Sequence, residues 1–218
     1  MEPEIYKTIS TFTTIAVWTA LLPLLAGLLR ALRTNWGWKV LIVYFAISLI
    51  TDNVSDYLPS EGEAAKYLPR IFTFVEFFLI TLFFISITSR KYIRVAMAWI
   101  ILPFAGVTIL DFLLGGVMKR DDLSLGVESL VFITYSVTTL FFILKDAEFT
   151  HILSRGEFWI ISAVLLYFGG SIFVFISTNY MRTISVEHGV LFWALHALLC
   201  MIFYLISTVG LWKAKESQ

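Results

Sequence analysis

The chain has 218 residues, 59% hydrophobic and 17% aromatic, and its 16 basic and 16 acidic residues leave no net charge. Soluble domains average about 45–50% apolar residues, so this excess, gathered into long runs, excludes an ordinary soluble domain and marks an integral membrane protein. No basic block points to nucleic acid. The lone Cys200 excludes a disulfide framework within one chain and reads as a buried structural thiol.

A membrane-crossing helix needs about 20 mostly apolar residues. Seven stretches qualify: 9–29, 38–51, 68–88, 95–115, 124–144, 158–178 and 189–212. They do not alternate in polarity, and within lipid only helices or closed barrels satisfy the backbone, so each is expected to be a helix. The opening MEPEIYK is acidic and lacks the basic region of a secretory signal, so the first stretch is expected to be retained. The second stretch is short and must continue through TDNVSDYL to cross; the alternative is six spans and a re-entrant segment. Pro59 and Pro69 bracket the longest connection, which is polar from Ser60 to Lys66. No linker is rich enough in Gly, Ser or Pro to mark a boundary. The expectation is an all-α, seven-transmembrane-helix bundle forming a single domain over residues 1–218. Its seven tryptophans mostly lie near predicted helix ends, as an interfacial belt requires.

Lysine and arginine bias sets orientation. With the N-terminus outside and the C-terminus cytoplasmic, ten basic residues fall on the inner side and six on the outer. Twelve of the 16 acids then fall in outer loops or outer helix halves. Solvated loops account for Glu2, Glu4, Glu61, Glu63, Asp121 and Asp122, but not for the acids within the spans. A negative outer vestibule would concentrate cations.

Five ionisable residues lie within the apolar stretches or at their ends: Asp52, Glu76, Asp111, Glu128 and His196. A charge at the centre of a bilayer costs at least about 2.5–3.5 kcal/mol, and such residues face a bundle interior or a water-filled cavity. Asp52 and Asp56 share a face with Ser48 and Ser55, either at a helix end reaching water or on a pocket wall. Glu76 lies seven residues beyond Pro69, roughly 10 Å deep at the helical rise. No Lys or Arg lies within a turn of it, so its partner must come from another helix: it is a ligand contact, or a neutral carboxyl hydrogen-bonded across the bundle. Asp111 sits about one turn from the end of the fourth span, before Gly115 and Gly116. Glu128 opens the fifth, with Phe132, Tyr135 or Ser136, and Thr139 continuing its face; it either compensates the helix N-terminus or begins a polar stripe facing the bundle. Gly169, Gly170 and Ser171 allow close helix approach or loosen the sixth span beside a cavity to which Tyr167 and Asn179 contribute polar groups. His196 lies seven residues beyond Gly189, at the same depth of roughly 10 Å as Glu76.

No HExxH, phosphate loop or cysteine pair is present, and three histidines with one at a boundary do not form a three-His zinc site. No Lys in the seventh span supports a retinal Schiff base. A mixed carboxylate–His site stays open, but no metal or cofactor is expected. The stretches IFTFVEFF in the third span, Glu128-Ser129 with TTLFFIL in the fifth, FWIISAVLLYFGGSIFVFISTNY in the sixth and LFWALHALLCMIFYLISTVGLWK in the seventh carry a resemblance. On these residues the chain resembles a family of small seven-transmembrane-helix proteins from Bacteroidetes that has no established activity. Such proteins look like companions of sensor kinases, so the resemblance implies signalling at most. An Asn common in that pattern four residues after the seventh-span His is Cys200 in this chain.

The leading expectation is a bacterial inner-membrane sensory or ligand-binding protein with an outward-facing acidic pocket, its ligand contacted by Glu76, Glu128 and His196, with Asp52 and Asp111 shaping the field. Its partners would be the bilayer, a cationic or small-molecule ligand from outside, and a signalling protein at the cytoplasmic loops. The alternatives are a proton- or cation-coupled transporter or channel, and an intramembrane metal-dependent hydrolase.

Overall fold

A computed structural model describes residues 3–30, 34–58, 63–114, 122–146, 149–184 and 186–214; side chains are described for these except 3–6, 56, 63–66, 112, 114, 122, 146, 149–151, 175–184 and 186–189. The described backbone is helical: α1 (Pro3–Trp18), α2 (Leu21–Arg30), α3 (Trp36–Tyr57), α4 (Glu63–Ile87), α5 (Lys91–Leu114), α6 (Asp122–Asp146), a short 3₁₀ segment (Phe149–Ser154), α7 (Gly156–Ile184) and α8 (Val186–Trp212). Among the described residues, seven spans are long and apolar enough to cross a membrane: Lys7–Arg30, Trp36–Ser55, Tyr67–Ile87, Lys91–Asp111, Leu123–Lys145, Gly156–Val174 and Val190–Trp212.

The boundaries follow local chemistry. The first span is two helices, because Pro23 has no N–H for the carbonyl of Thr19 and its ring crowds that group. The Leu22 N–H takes that carbonyl instead at 3.1 Å, and the Ala20 N–H turns back to Val17 at 3.1 Å. Asn35 starts α3, its Oδ1 accepting the Gly37 N–H at 3.1 Å, the usual arrangement of an N-cap. The helix runs unbroken through TDNVSDY for 22 residues, so the second span crosses and the re-entrant alternative falls.

One expected boundary shifts. Helix α4 begins at Glu63, with Pro69 inside it, so the polar stretch after Pro59 is partly helical. In the second turn a proline forfeits one ladder bond, and nearby the Thr73 hydroxyl donates to the Pro69 carbonyl at 3.0 Å. Helix α5 carries Pro103 in its middle, where the Trp99 carbonyl loses its ladder donor; the Thr108 hydroxyl donates to the Phe104 carbonyl at 3.0 Å.

Helix α8 lies against α7, α2 and α1; α7 packs on α6, and α4 packs on α3, α5 and α6. Phenyl rings fill the centre. Phe77 stacks on Phe104 at 3.7 Å between centroids; Phe132 touches Phe77 and Phe168, and Phe45 meets Phe203. Lipid tails give helices no hydrophobic reason to associate, so small residues that admit close backbone approach decide the seams. Gly156 on α7 faces the Gly210 carbonyl and the Trp38 ring, and Gly27 on α2 faces Ile42 and Leu211. Of the pair in α7, Gly170 abuts Leu199, whereas Gly169 has no neighbour within 4 Å. Trp38 is therefore a core residue stacked edgewise on Phe83 and not part of an interfacial belt.

Successive spans reverse direction, which sorts the charges. Arg30, Lys39, Arg90, Arg94, Arg155 and Lys213 gather at one end, the basic end, while Asp52, Glu76, Asp111 and Glu128 occupy the opposite half. A methyl group added at Gly156 meets backbone that cannot rotate away, so Gly156→Ala is expected to destabilise by about 1–3 kcal/mol. Gly169→Ala meets open space and gains helix propensity, up to about 1 kcal/mol. Thermal unfolding of the two variants in the same detergent checks the contrast, which vanishes if the α7–α8 seam is not close-packed.

Candidate functional site

Three helices bring polar stripes to one hollow in the acidic half. Tyr44, Ser48, Asp52 and Ser55 recur at helical spacing on α3; Thr73 follows Pro69 and precedes Glu76 on α4; Trp193, His196, Cys200 and Tyr204 line one face of α8. With Tyr167 from α7 and Leu125 from α6 they enclose a cavity of about 380 Å³. A second hollow of about 330 Å³ shares Asp52, Ser55, Trp193, His196, Cys200 and Tyr204 with it, and is walled on the far side by Thr13, Ala16 and Val17 of α1.

The cavity is built around a carboxyl group. Glu76 is only 6% exposed, and the Tyr44 hydroxyl donates to its Oε1 at 2.7 Å. The partner that the sequence required from another helix is therefore a phenol on α3. Ser48 Oγ and the Tyr204 hydroxyl lie 3.1 Å apart, joining α3 to α8. His196 Nε2 lies 3.6 Å from Cys200 Sγ, and the imidazole ring sits between Tyr167 and Trp193, with centroids 5.7 and 5.6 Å away. Cys200 is half-buried: it packs against the apolar core and also forms part of the cavity wall.

The expected site residues divide. Glu76, His196, Asp52 and Tyr167 line the one cavity, so equal depth does correspond to a shared space for Glu76 and His196. Glu128, Asp111 and Tyr135 are not part of its wall. Helix α6 begins at Asp122, which puts Glu128 in the second turn, past the reach of a helix-end effect. It is 1% exposed, and its Oε1 has no hydrogen-bond partner among the described residues. The helix end is served by Asp111, whose Oδ2 accepts the Ser124 N–H at 2.9 Å and also the Ser124 hydroxyl. Tyr135 points to the other half of the bundle and donates to the Met97 carbonyl at 3.1 Å. The polar stripe through Phe132, Tyr135, Ser136 and Thr139 does face inward, all four being buried. The side chains of Asn179 and Asp56 lie outside those described.

Sequence reasoning overlooked Tyr44 and Tyr204. Both were visible as extensions of stripes already noted: Tyr44 is one turn before Ser48, and Tyr204 two turns after His196. Among the described residues, no group of three His, Cys, Asp or Glu side chains could hold a metal ion.

Fold and cavity together define the class: a seven-helix integral membrane protein with an acidic, aromatic-lined hollow in one half of the bundle. No family model matches the chain, nor does any curated protein or solved structure.

Tyr44→Phe removes the hydroxyl and leaves Glu76 without this partner. Hydrogen bonds between membrane helices average about 0.6 kcal/mol and reach about 1.7 kcal/mol; a loss toward the upper value is expected for this buried pair. Glu76→Gln should retain most of the stability, since an amide oxygen still accepts from Tyr44. Equilibrium unfolding of both variants and of Tyr44→Phe/Glu76→Gln in mixed micelles measures the coupling. Additive effects would show that the two side chains do not interact.

Proposed function

We propose that this protein is a sensory or ligand-binding module of a bacterial inner membrane, and that its cavity receives a small organic cation from the outer side. The observation that carries this reading is the buried Glu76 carboxyl, held by Tyr44 in a cavity that also contains Asp52. Among the described residues no Lys or Arg lines the cavity beside these two carboxyl groups, which favours a positive guest. The surrounding Phe72, Tyr167, Trp193, Phe203 and Tyr204 supply ring faces of the kind that bind ammonium groups, worth about 2 kcal/mol when desolvated. A volume of about 380 Å³ lies within the usual range of small-molecule sites.

Outward orientation of the cavity rests on the basic residues at the other end, which the positive-inside tendency puts in the cytoplasm. That end would offer Arg- and Lys-rich connections to a signalling partner, in keeping with the resemblance to sensor-associated seven-helix proteins. A transport pathway has less support. On the basic side of Glu76 the bundle is filled by Trp38, Phe83, Phe84 and Tyr135, all buried. The hydrolase reading gains nothing from the described residues, which bring no three metal-ligating side chains together.

Choline and its uncharged isostere 3,3-dimethyl-1-butanol test the reading. Choline is expected to raise the melting temperature of the detergent-solubilised protein and to change Trp193 fluorescence, with no response to the alcohol. At 100 times Kd the gain would be about 2.7 kcal/mol. Glu76→Gln should weaken choline binding by about tenfold or more, the loss of one charge-assisted contact. Equal responses to the two probes, or no response to choline and to simple primary amines, would reject an organic cation as the ligand.

A further inference from the structure

The cavity that holds Glu76 adjoins the side hollow of about 330 Å³ along two helices at once. Asp52 and Ser55 of α3, and Trp193, His196, Cys200 and Tyr204 of α8, line both spaces. Shared walls on two helices put the meeting of the hollows at the gap between those helices. The fold leaves such a gap. Helix α8 packs on α7, α2 and α1, and α3 packs on α4 and α2, but among the described residues α3 and α8 do not pack closely on each other. Long side chains span the distance instead, as Tyr204 does to reach Ser48.

The first span lies over this gap. Toward the basic end α2 packs on both α3 and α8, and Gly27 brings its backbone down against Ile42 and Leu211. Toward the acidic end α1 packs on α8 and over a shorter stretch on α3, and space remains beneath it. The chemistry of that space differs from the chemistry beside Glu76. Apart from the residues shared with the cavity, its described wall is Thr13, Ala16, Val17 and Ala197. The Thr13 hydroxyl donates to the Ser10 carbonyl at 2.9 Å, and the Ser55 hydroxyl to the Thr51 carbonyl at 2.8 Å. Each is satisfied on its own helix, so neither calls for a polar guest. The wall that α1 and Ala197 contribute is therefore mainly methyl groups. A carboxyl group lies in one hollow and an aliphatic wall in the next.

We infer that the guest of the acidic half is a cationic amphiphile with a single aliphatic chain. Its ammonium head meets Glu76 and the ring faces of the cavity; its chain crosses the gap between α3 and α8 and lies against α1. This rests on the reading of the cavity as an organic-cation site and narrows the class of cation. A bare ammonium ion uses only the first hollow. A chain adds apolar contact in the second, at up to about fourfold in affinity for each methylene taken out of water.

The series tetramethylammonium, butyltrimethylammonium and hexyltrimethylammonium tests this on the full-length protein in one detergent. Its members share a head and are short enough to stay dissolved in water, and Trp193 fluorescence reads their Kd. Affinity is expected to rise by about tenfold or more from the first to the last. Thr13→Phe and Ala197→Leu each fill the side hollow from a different helix, at half-buried positions that do not line the cavity. Either should cut that rise to about twofold or less, because the chain loses its apolar contact, and leave tetramethylammonium binding unchanged. Glu76→Gln should instead weaken all three by a common factor of about ten. If tetramethylammonium binds and hexyltrimethylammonium binds no better, the amphiphile is overturned and the small-cation reading stands. A rise that persists in both filled variants puts the chain elsewhere and overturns it equally. If no member of the series binds, or binding ignores Glu76→Gln, the cation reading fails and this inference with it.

Discussion

A carboxyl group inside a bilayer has to be given its hydrogen-bond partners by protein, because lipid tails offer none. Glu76 sets that requirement, and the acidic half of the bundle is arranged around it. Its helix carries no basic residue nearby, so α3 must approach closely enough for Tyr44 to reach the carboxyl. The same face of α3 then carries Ser48 to Tyr204 on α8, and the three helices are tied at one level. Satisfying one acid thereby fixes the walls of a cavity, which further polar side chains, Asp52 and His196 among them, also line.

Where polar bonds do not set the spacing, the absence of side chains does. Gly156 against Gly210, and Gly27 against Ile42 and Leu211, draw α7, α8 and α2 together. Close approach at these seams brings α7 and α8 near enough for Tyr167 and His196 to share the cavity. The two devices occupy different ends of the molecule. Glycine contact tightens the basic end around Trp38, and hydrogen bonds between side chains tie α3, α4 and α8 at the acidic end.

The seven spans were legible because a bilayer demands length and apolar composition, and both can be read residue by residue. Even the doubtful second span was resolved by its own continuation through Tyr57. Faces were legible too: helical spacing put Ser48 with Asp52, and Thr139 with Phe132. Which face meets which was not, because periodicity orients a stripe without naming its neighbour. Glu128 and Asp111 show the limit. Both stood near the same predicted surface, yet Asp111 bonds across to Ser124 at the start of α6, while Glu128 is sealed in the second turn. Telling them apart needed the start of α6 at Asp122, two residues before the apolar run. Pro69 misled for a related reason: a proline reads as a boundary, but early in a helix it removes only one bond.

The interruption at Thr19 and Ala20 has a mechanical consequence. Because Pro23 has already removed bonds from the ladder, the first span bends there at less cost than an unbroken helix would. The two pieces are also held differently. Gly27 seats α2 against Ile42 and Leu211, whereas α1 walls the side hollow with Thr13, Ala16 and Val17. Helix α1 is itself packed on α8 and α3, so the joint lets one span meet two kinds of neighbour: α2 sits in a glycine seam, and α1 leans over the hollow beside Asp52 and His196.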